Sequence, residues 1–360
     1  MPTTNGYLEL IKAPLRKAVK HLFPEIMARR WRQETASACL PTGEQVSALL
    51  VALGSAPCNH NCIFCYQSIE KPKTATWLDV NLLRHVVQQF PATPVNVHMS
   101  ANTETFFAPN LVDSVRMIKE ERPDCPIILS TNGSRFRPHI MEELIDLKLN
   151  TLSYSFDGAT REDYKLVVGN DSFDLVWENL EKIVQMRDRK GSNMEIHTHI
   201  MGFKGMEASF ERFRKQWEGK NVYVHFRRVC NWGGSERGMA VEKQLAEAGL
   251  FPHQPTDNRY PCGSLFAQIK LGHTGDYWLC SSAISDYDDH GVPNLGHASE
   301  VPLQEVWQKM SQYRCAHLRG EWDSMPYCVH CTTWSMWYDY WERDPNAEET
   351  FFLDSTPYAR

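Results

Sequence analysis

The chain has little that would take it into a membrane or onto a polyanion. None of its apolar runs reaches the roughly 20 residues that span a bilayer. Its 38 Lys and Arg are outnumbered by 44 Asp and Glu, giving a formal net charge of -6, so no broad basic surface argues for nucleic acid. The opening, Met1-Pro2-Thr3-Thr4-Asn5-Gly6, lacks a signal-peptide pattern. A disulfide framework is also missing, because the eleven cysteines are odd in number and cluster in short C-x-x-C spacings. These absences lead us to expect a cytoplasmic protein with reduced thiols and no membrane or nucleic-acid partner. At 360 residues, 42% hydrophobic and 23% charged, there is material for one large domain and a smaller one.

What is present is cysteine in pattern. Cys58, Cys62 and Cys65 stand at C-x3-C-x2-C spacing within Pro57-Cys58-Asn59-His60-Asn61-Cys62-Ile63-Phe64-Cys65-Tyr66. Three thiols on one short loop can converge on a metal cluster. A 4Fe–4S cube held by three cysteines keeps one iron open, so a small molecule can bind there. Structural zinc would need a fourth nearby ligand, and His60, between the cysteines, is poorly placed for it. A second set, Cys262, Cys280, Cys328 and Cys331, supplies four thiols, enough to close one further iron–sulfur or zinc site. A hairpin turn at Gly275 is expected to return the chain toward Cys262. Of the remainder, Cys39 and Cys125 read as small buried hydrophobes, and Cys315 is spare. Cys230 reads two ways: as a packed thiol, or as a donor of a hydrogen atom to a carbon radical.

Hydrophobic periodicity gives strands at 46–53, 95–99, 127–130, 151–156, 194–201 and 222–229. Helical patterns at 77–90, 111–122, 139–147, 173–188 and 206–217 alternate with them. The expectation is an α/β fold, a partial (β/α)6 TIM-like barrel with its chemistry past the C-terminal strand ends. The rhythm is expected to stop past Arg237, with Pro252, Pro255 and Pro261 marking a linker. The expected organisation is a helical extension at 1–45, with a basic amphipathic stretch at 12–32, then the core at 46–237. A cysteine-rich domain follows at 238–335, then an aromatic tail at 336–360 containing Trp337, Tyr338, Tyr340, Trp341, Phe351 and Phe352.

The three cysteines, with aromatic Phe64 just before the third, resemble the radical S-adenosylmethionine (SAM) superfamily. Ser130-Thr131-Asn132-Gly133 and Ser155-Phe156-Asp157-Gly158-Ala159-Thr160 resemble its segments after the third and fourth strands. The resemblance covers about residues 48–332. It implies a SAM-binding 4Fe–4S cluster on Cys58, Cys62 and Cys65, and SAM contacts from Tyr66, Glu104, Ser130, Asn132, Ser155 and Met201. One departure is plain: where the family usually has Gly-Gly-Glu-Pro, this chain has Asn102-Thr103-Glu104-Thr105. The carboxylate is kept and both glycines are lost.

The second cysteine set, with Asn294-Leu295-Gly296-His297 and Leu303-Gln304-Glu305-Val306-Trp307, resembles the shortened SPASM domain called twitch. That resemblance implies one auxiliary 4Fe–4S cluster on Cys262, Cys280, Cys328 and Cys331. The implied function is reductive cleavage of SAM to a 5′-deoxyadenosyl radical. The radical would take a hydrogen atom from a small polar substrate (a sugar, aminocyclitol or nucleoside-like molecule), with net dehydrogenation favoured. A flavodoxin or ferredoxin is the implied reductant. The alternatives are epimerisation with Cys230 as donor, peptide or protein maturation, and, in a different class, an iron–sulfur electron carrier or zinc-stabilised binding protein.

Overall fold

The computed structural model describes residues 46–252, 259, 261–283 and 291–337. Strand β1 (Ala48–Ser55) is apolar through Leu53, the pattern of a strand covered on both faces. A two-residue strand, β2 (Thr76–Trp77), folds back antiparallel on its end. Then β3 (Asn96–Asn102), β4 (Ile127–Thr131), β5 (Thr151–Asp157), β6 (Glu195–Met201) and β7 (Val222–Arg227) are added side by side, each parallel to its neighbour. Parallel pairing requires crossovers. These carry α1 (Val80–Val87), α2 (Leu111–Glu121), α3 (Pro138–Asp146), α4 (Arg161–Val168), α5 (Phe173–Arg189) and α6 (Glu207–Gln216), with α7 (Glu236–Glu247) after β7.

All six expected core strands are present, and the expected open α/β barrel is the fold. Three local differences have clear causes. Helix α1 starts at Val80 rather than 77, because Trp77 pairs with β1 and the Asp79 side chain accepts from Asn81 N. The β5 crossover holds an extra helix, α4, capped by Thr160 and ended by Gly169 in the left-handed region. The αβ rhythm also continues past Arg237. Ser235 Oγ accepts from Gly238 N at 3.0 Å and starts α7, so position 237 lies inside a helix.

The cysteine-rich C-terminal region is joined to the sheet. Strand β8 (Gln268–Leu271) pairs parallel to the free edge of β1, and β9 (Asp276–Trp278) and β10 (Asn294–His297) continue antiparallel. The order is β10-β9-β8-β1-β3-β4-β5-β6-β7. The expected turn at Gly275 is there, at φ 96°, and a Cβ would come within 2.4 Å of His297 Nε2.

The two faces of the parallel sheet differ. The outer face buries Val97, Met99, Leu129, Leu152, Phe156, Ile196, Ile200 and Phe226 under the helices. Phe156 anchors an aromatic cluster with Tyr164, Phe173, Trp177 and Phe213. The inner face, by register, carries His98, Ser130, Ser153, Ser155, His197, His199, His225 and Arg227. Four strand intervals separate β3 from β7, about 19 Å in a flat sheet. Arg227 on β7 nonetheless acts electrostatically on His98 of β3, so the sheet is curled around this face.

Among the described residues no helix is long and apolar enough to cross a membrane. The amphipathic stretch at 12–32, Cys39, Pro255 and the tail aromatics from Tyr338 onward lie outside the described residues.

Candidate active site

The loop after β1 is held from several sides. Cys58 N donates to Gln67 Oε1 at 2.9 Å, and Lys71 Nζ donates to the carbonyls of Cys58 (2.8 Å) and His60 (3.0 Å). Asn61 N and Ile63 N donate to the last carbonyls of α4, and Trp232 Nε1 donates to Phe64 O at 2.9 Å. Tyr66 is buried edge-on to Trp232. Trp232 itself adopts φ 50°, a strained value for a bulky residue. His60 points away from any ligand role. It is buried beside Tyr164, and burial lowers its pKa to about 4.

The β3 and β4 ends brace this loop. Glu104 is 1% exposed and accepts from Thr131 Oγ1 (2.6 Å), Asn132 N (2.6 Å) and Phe106 N (3.1 Å). Burial raises its pKa despite these bonds. The carboxylate is thus engaged from within the chain and ties the two strand ends together. Asn132 Nδ2 reaches Asn59 Oδ1 at 3.2 Å and lies 3.9 Å from Cys58 Sγ, while Asn59 Nδ2 donates to Ser134 Oγ. Gly133 allows this turn: its φ is 73°, and a Cβ would lie 1.9 Å from the Tyr154 hydroxyl.

The three thiols interact. Burial raises the pKa of Cys62 well above its usual value, with Asp157, Cys65 and Cys58 adding to the rise. Cys65 is pushed up to about 12, mainly by burial. Bare thiolates are costly here, and a cationic iron core is the kind of group that stabilises them. Among the described residues no three His, Cys, Asp or Glu side chains are drawn together tightly enough for a single metal ion. A cluster, whose sulfurs sit on different irons, is served by a looser set.

Below the loop the inner face forms a polar chamber. His98 Nε2 is 2.7 Å from Ser130 Oγ, and His199 Nε2 is 2.8 Å from Ser153 Oγ. Both imidazoles lie deep in the protein, yet solvent still reaches them. Burial first, then Arg227, holds His98 near a pKa of about 4 and His199 well below its usual value, so both are neutral at pH 7. Deeper, His225 Nε2 and His197 Nδ1 are 2.8 Å apart, and His197 Nε2 is 3.0 Å from Glu195 Oε2. At the top, Asp157 sits at φ 66°, with burial raising its pKa to about 7 against the pull of Arg227. Asp157 also acts on Cys62 and Cys65, so this end of the inner face is close to the thiol loop.

Of the residues singled out in the sequence, Ser130 is hydrogen-bonded to His98. Ser155 shares the chamber face with His199, and Met201 pairs in register with Arg227. The four histidines were missed. Their signal was the polar–apolar alternation Asn-Val-His-Met-Ser on β3, Glu-Ile-His-Thr-His-Ile-Met on β6 and Val-Tyr-Val-His-Phe-Arg on β7, unusual for parallel strands covered on both faces.

The second thiol set is also gathered. Burial raises the pKa of Cys262, which feels Cys331, Cys280 and Cys328 in turn, and Cys280 is pushed up to about 11. His317 bridges the set, with Nδ1 accepting from Cys262 N at 3.2 Å and Nε2 lying 3.4 Å from Cys328 Sγ. Asn231 clamps the C-x-x-C turn: Thr332 N donates to its Oδ1 and its Nδ2 donates to His330 O. Cys230 lies beside Cys331 and lines a cavity of about 190 Å³ with Asn231 and Thr332.

Residues 55–215 match the family model of the radical SAM superfamily. This stretch is a radical SAM domain. The chain is 27% identical over 124 residues to an uncharacterized protein of Methanocaldococcus jannaschii, a match covering 34% of this chain and 39% of that one. It is 24% identical over 146 residues to a probable GTP 3′,8-cyclase of Pyrococcus abyssi, covering 40% and 45%. The chain spans less than half the length of these curated relatives. Among solved structures, BtrN in complex with AdoMet and 2-DOIA superposes at TM-score 0.53 and 16% identity, over 80% of this chain and 93% of that one. Native anSMEcpe with bound AdoMet gives 0.52 at 13% identity (79% and 88%), and Streptococcus suis SuiB bound to the precursor peptide SuiA gives 0.56 at 11% (78% and 68%). At these identities the likeness is one of fold. The radical SAM domain thus continues into a cysteine-rich region within a shared architecture.

Proposed function

We propose that this radical SAM enzyme removes a hydrogen atom from a small polar metabolite and leaves it oxidised by two electrons. The observation that carries the reading is the polar, solvent-reached chamber lying under the Cys58–Cys62–Cys65 loop, linked to it through Asp157. Cys58, Cys62 and Cys65 would hold one 4Fe–4S cluster, and Cys262, Cys280, Cys328 and Cys331 a twitch-type second. With SAM bound, the first cluster would supply a 5′-deoxyadenosyl radical and the second would serve as an electron acceptor. Tyr66, Asn132, Ser155 and Met201 would contact SAM. Ser130 and Glu104 support it by holding His98 and the β4 turn.

Within the chamber the chain's own task is to place the substrate and take its proton. Asp157, whose pKa burial raises to about 7, is suited to act as the base that oxidation requires, and His199, neutral and hydrogen-bonded to Ser153, to place the substrate. The position of Cys230 beside Cys331 favours dehydrogenation over epimerisation, since it gives this thiol a place at the second set. A cytoplasmic flavodoxin or ferredoxin is the proposed reductant.

The test is anaerobic reconstitution with iron and sulfide, followed by incubation with SAM, a reductant and a cytosolic metabolite extract in deuterated water. A SAM-dependent small product lighter by two hydrogens is expected, together with 5′-deoxyadenosine. A product of unchanged mass except for deuterium would establish epimerisation, and a modified peptide alone would establish maturation. Absence of 5′-deoxyadenosine would reduce the protein to an electron carrier.

A further inference from the structure

We propose that the chamber is built for a polyhydroxylated acid, with Arg227 holding a carboxylate or phosphate and the His98–Ser130 and His199–Ser153 pairs holding hydroxyls. The inference rests on the reading of this chamber as the substrate site.

Arg227 is the first ground. It lies on the inner face, in register with Met201 and on the same strand face as His225, and its charge is felt by His98 on β3, Asp157 on β5 and His199 on β6. Among the described residues its guanidinium makes no hydrogen bond and no ion pair, Asp157 included. Its side chain is half-buried, so it stays open to a ligand that enters the face from solvent. A planar fork of donors matches a carboxylate or phosphate bidentately, which an ammonium group could not do.

The hydroxyl pairs are the second ground. Each joins a neutral imidazole to a serine at hydrogen-bond distance, 2.7 and 2.8 Å. A serine hydroxyl offers one donor and two acceptor sites, so one bond to imidazole leaves capacity for a ligand hydroxyl. Neutral donor–acceptor pairs suit hydroxyls, which both give and take. An amine-bearing ligand would instead set its charge against Arg227. Filling these strand positions with Leu and Val would cost less in desolvation, so the polar choice calls for a polar occupant.

The test uses four probes of one skeleton: D-gluconate, D-glucose 6-phosphate, D-glucose and D-glucosamine. Each is titrated calorimetrically into the anaerobically reconstituted full chain with SAM present. At least one of the two acids is expected to bind tenfold or more tighter than glucose, with glucosamine weakest. Which acid wins separates a carboxylate from a phosphate site. Arg227→Gln should bring the acids to the level of glucose, and Arg227→Lys should restore part of the preference. His98→Phe with His199→Phe should weaken all four probes alike. Circular dichroism of each variant confirms that it is folded. Equal binding of acid, neutral and amine probes, binding of none, or a preference that survives in Arg227→Gln would overturn the proposal. Failure of the underlying reading has its own signature: wild-type protein that yields no 5′-deoxyadenosine from SAM.

Discussion

Asp157 shows how a single buried residue sets a measurable property. Its folded pKa is raised to about 7 by burial, above the 3.8 of a free carboxyl. The native state therefore keeps a proton that the unfolded chain gives up. The stability gained this way is full below about pH 4 and is lost as pH rises to about 7, by roughly 4 kcal/mol at most. Urea unfolding of the metal-free protein should show this fall in wild type and not in Asp157→Asn. If the two curves run parallel, Asp157 is charged throughout. Gly133 makes a second residue-scale prediction. Gly133→Ala must strain a φ of 73° and displace Tyr154, whose hydroxyl donates to Val176 O. A loss of about 2–4 kcal/mol is expected from such strain and repacking, read as a drop in unfolding midpoint.

Elements carry their own predictions. Helix α7 depends on one cap, and Ser235→Ala should cost about 1 kcal/mol. A null effect would mean that packing of Val241 and Leu245 alone holds the helix. Its existence was hard to read from sequence because Gly238 breaks the pattern and the apolar stripe is short. The six core strands were legible because apolar runs bounded by turn residues have few other uses. Strand β8 was not legible as a neighbour of β1: pairing partners 220 residues apart leave no local trace.

At the scale of the whole molecule the proposal that each thiol set holds one cluster makes a prediction about iron. Reconstituted wild type should carry about eight irons per chain, in two clusters. Replacing Cys58, Cys62 and Cys65 by alanine should leave about four irons and abolish 5′-deoxyadenosine formation. Replacing Cys262, Cys280, Cys328 and Cys331 should also leave about four, with the SAM-binding signal intact in the electron paramagnetic resonance spectrum. Zinc bound by the second set under anaerobic purification would refute its assignment as an iron–sulfur site.

The sequence by itself determined the class of chemistry and the strand–helix alternation. Cysteine spacing within one loop and apolar periodicity within one element are local properties, and both are readable without the fold. What only the tertiary structure decided is what lies across the chamber from what. His98 on β3 comes from a strand that a flat sheet would hold far from His199 on β6 and Arg227 on β7, and only its curl brings the three to one space. The same holds for Cys230, which adjacency in sequence places past a strand end but which the Asn231–Thr332 hydrogen bonds bring to the C-x-x-C turn of Cys331. Such contacts arise from chain closure between distant segments, which no single stretch of residues encodes.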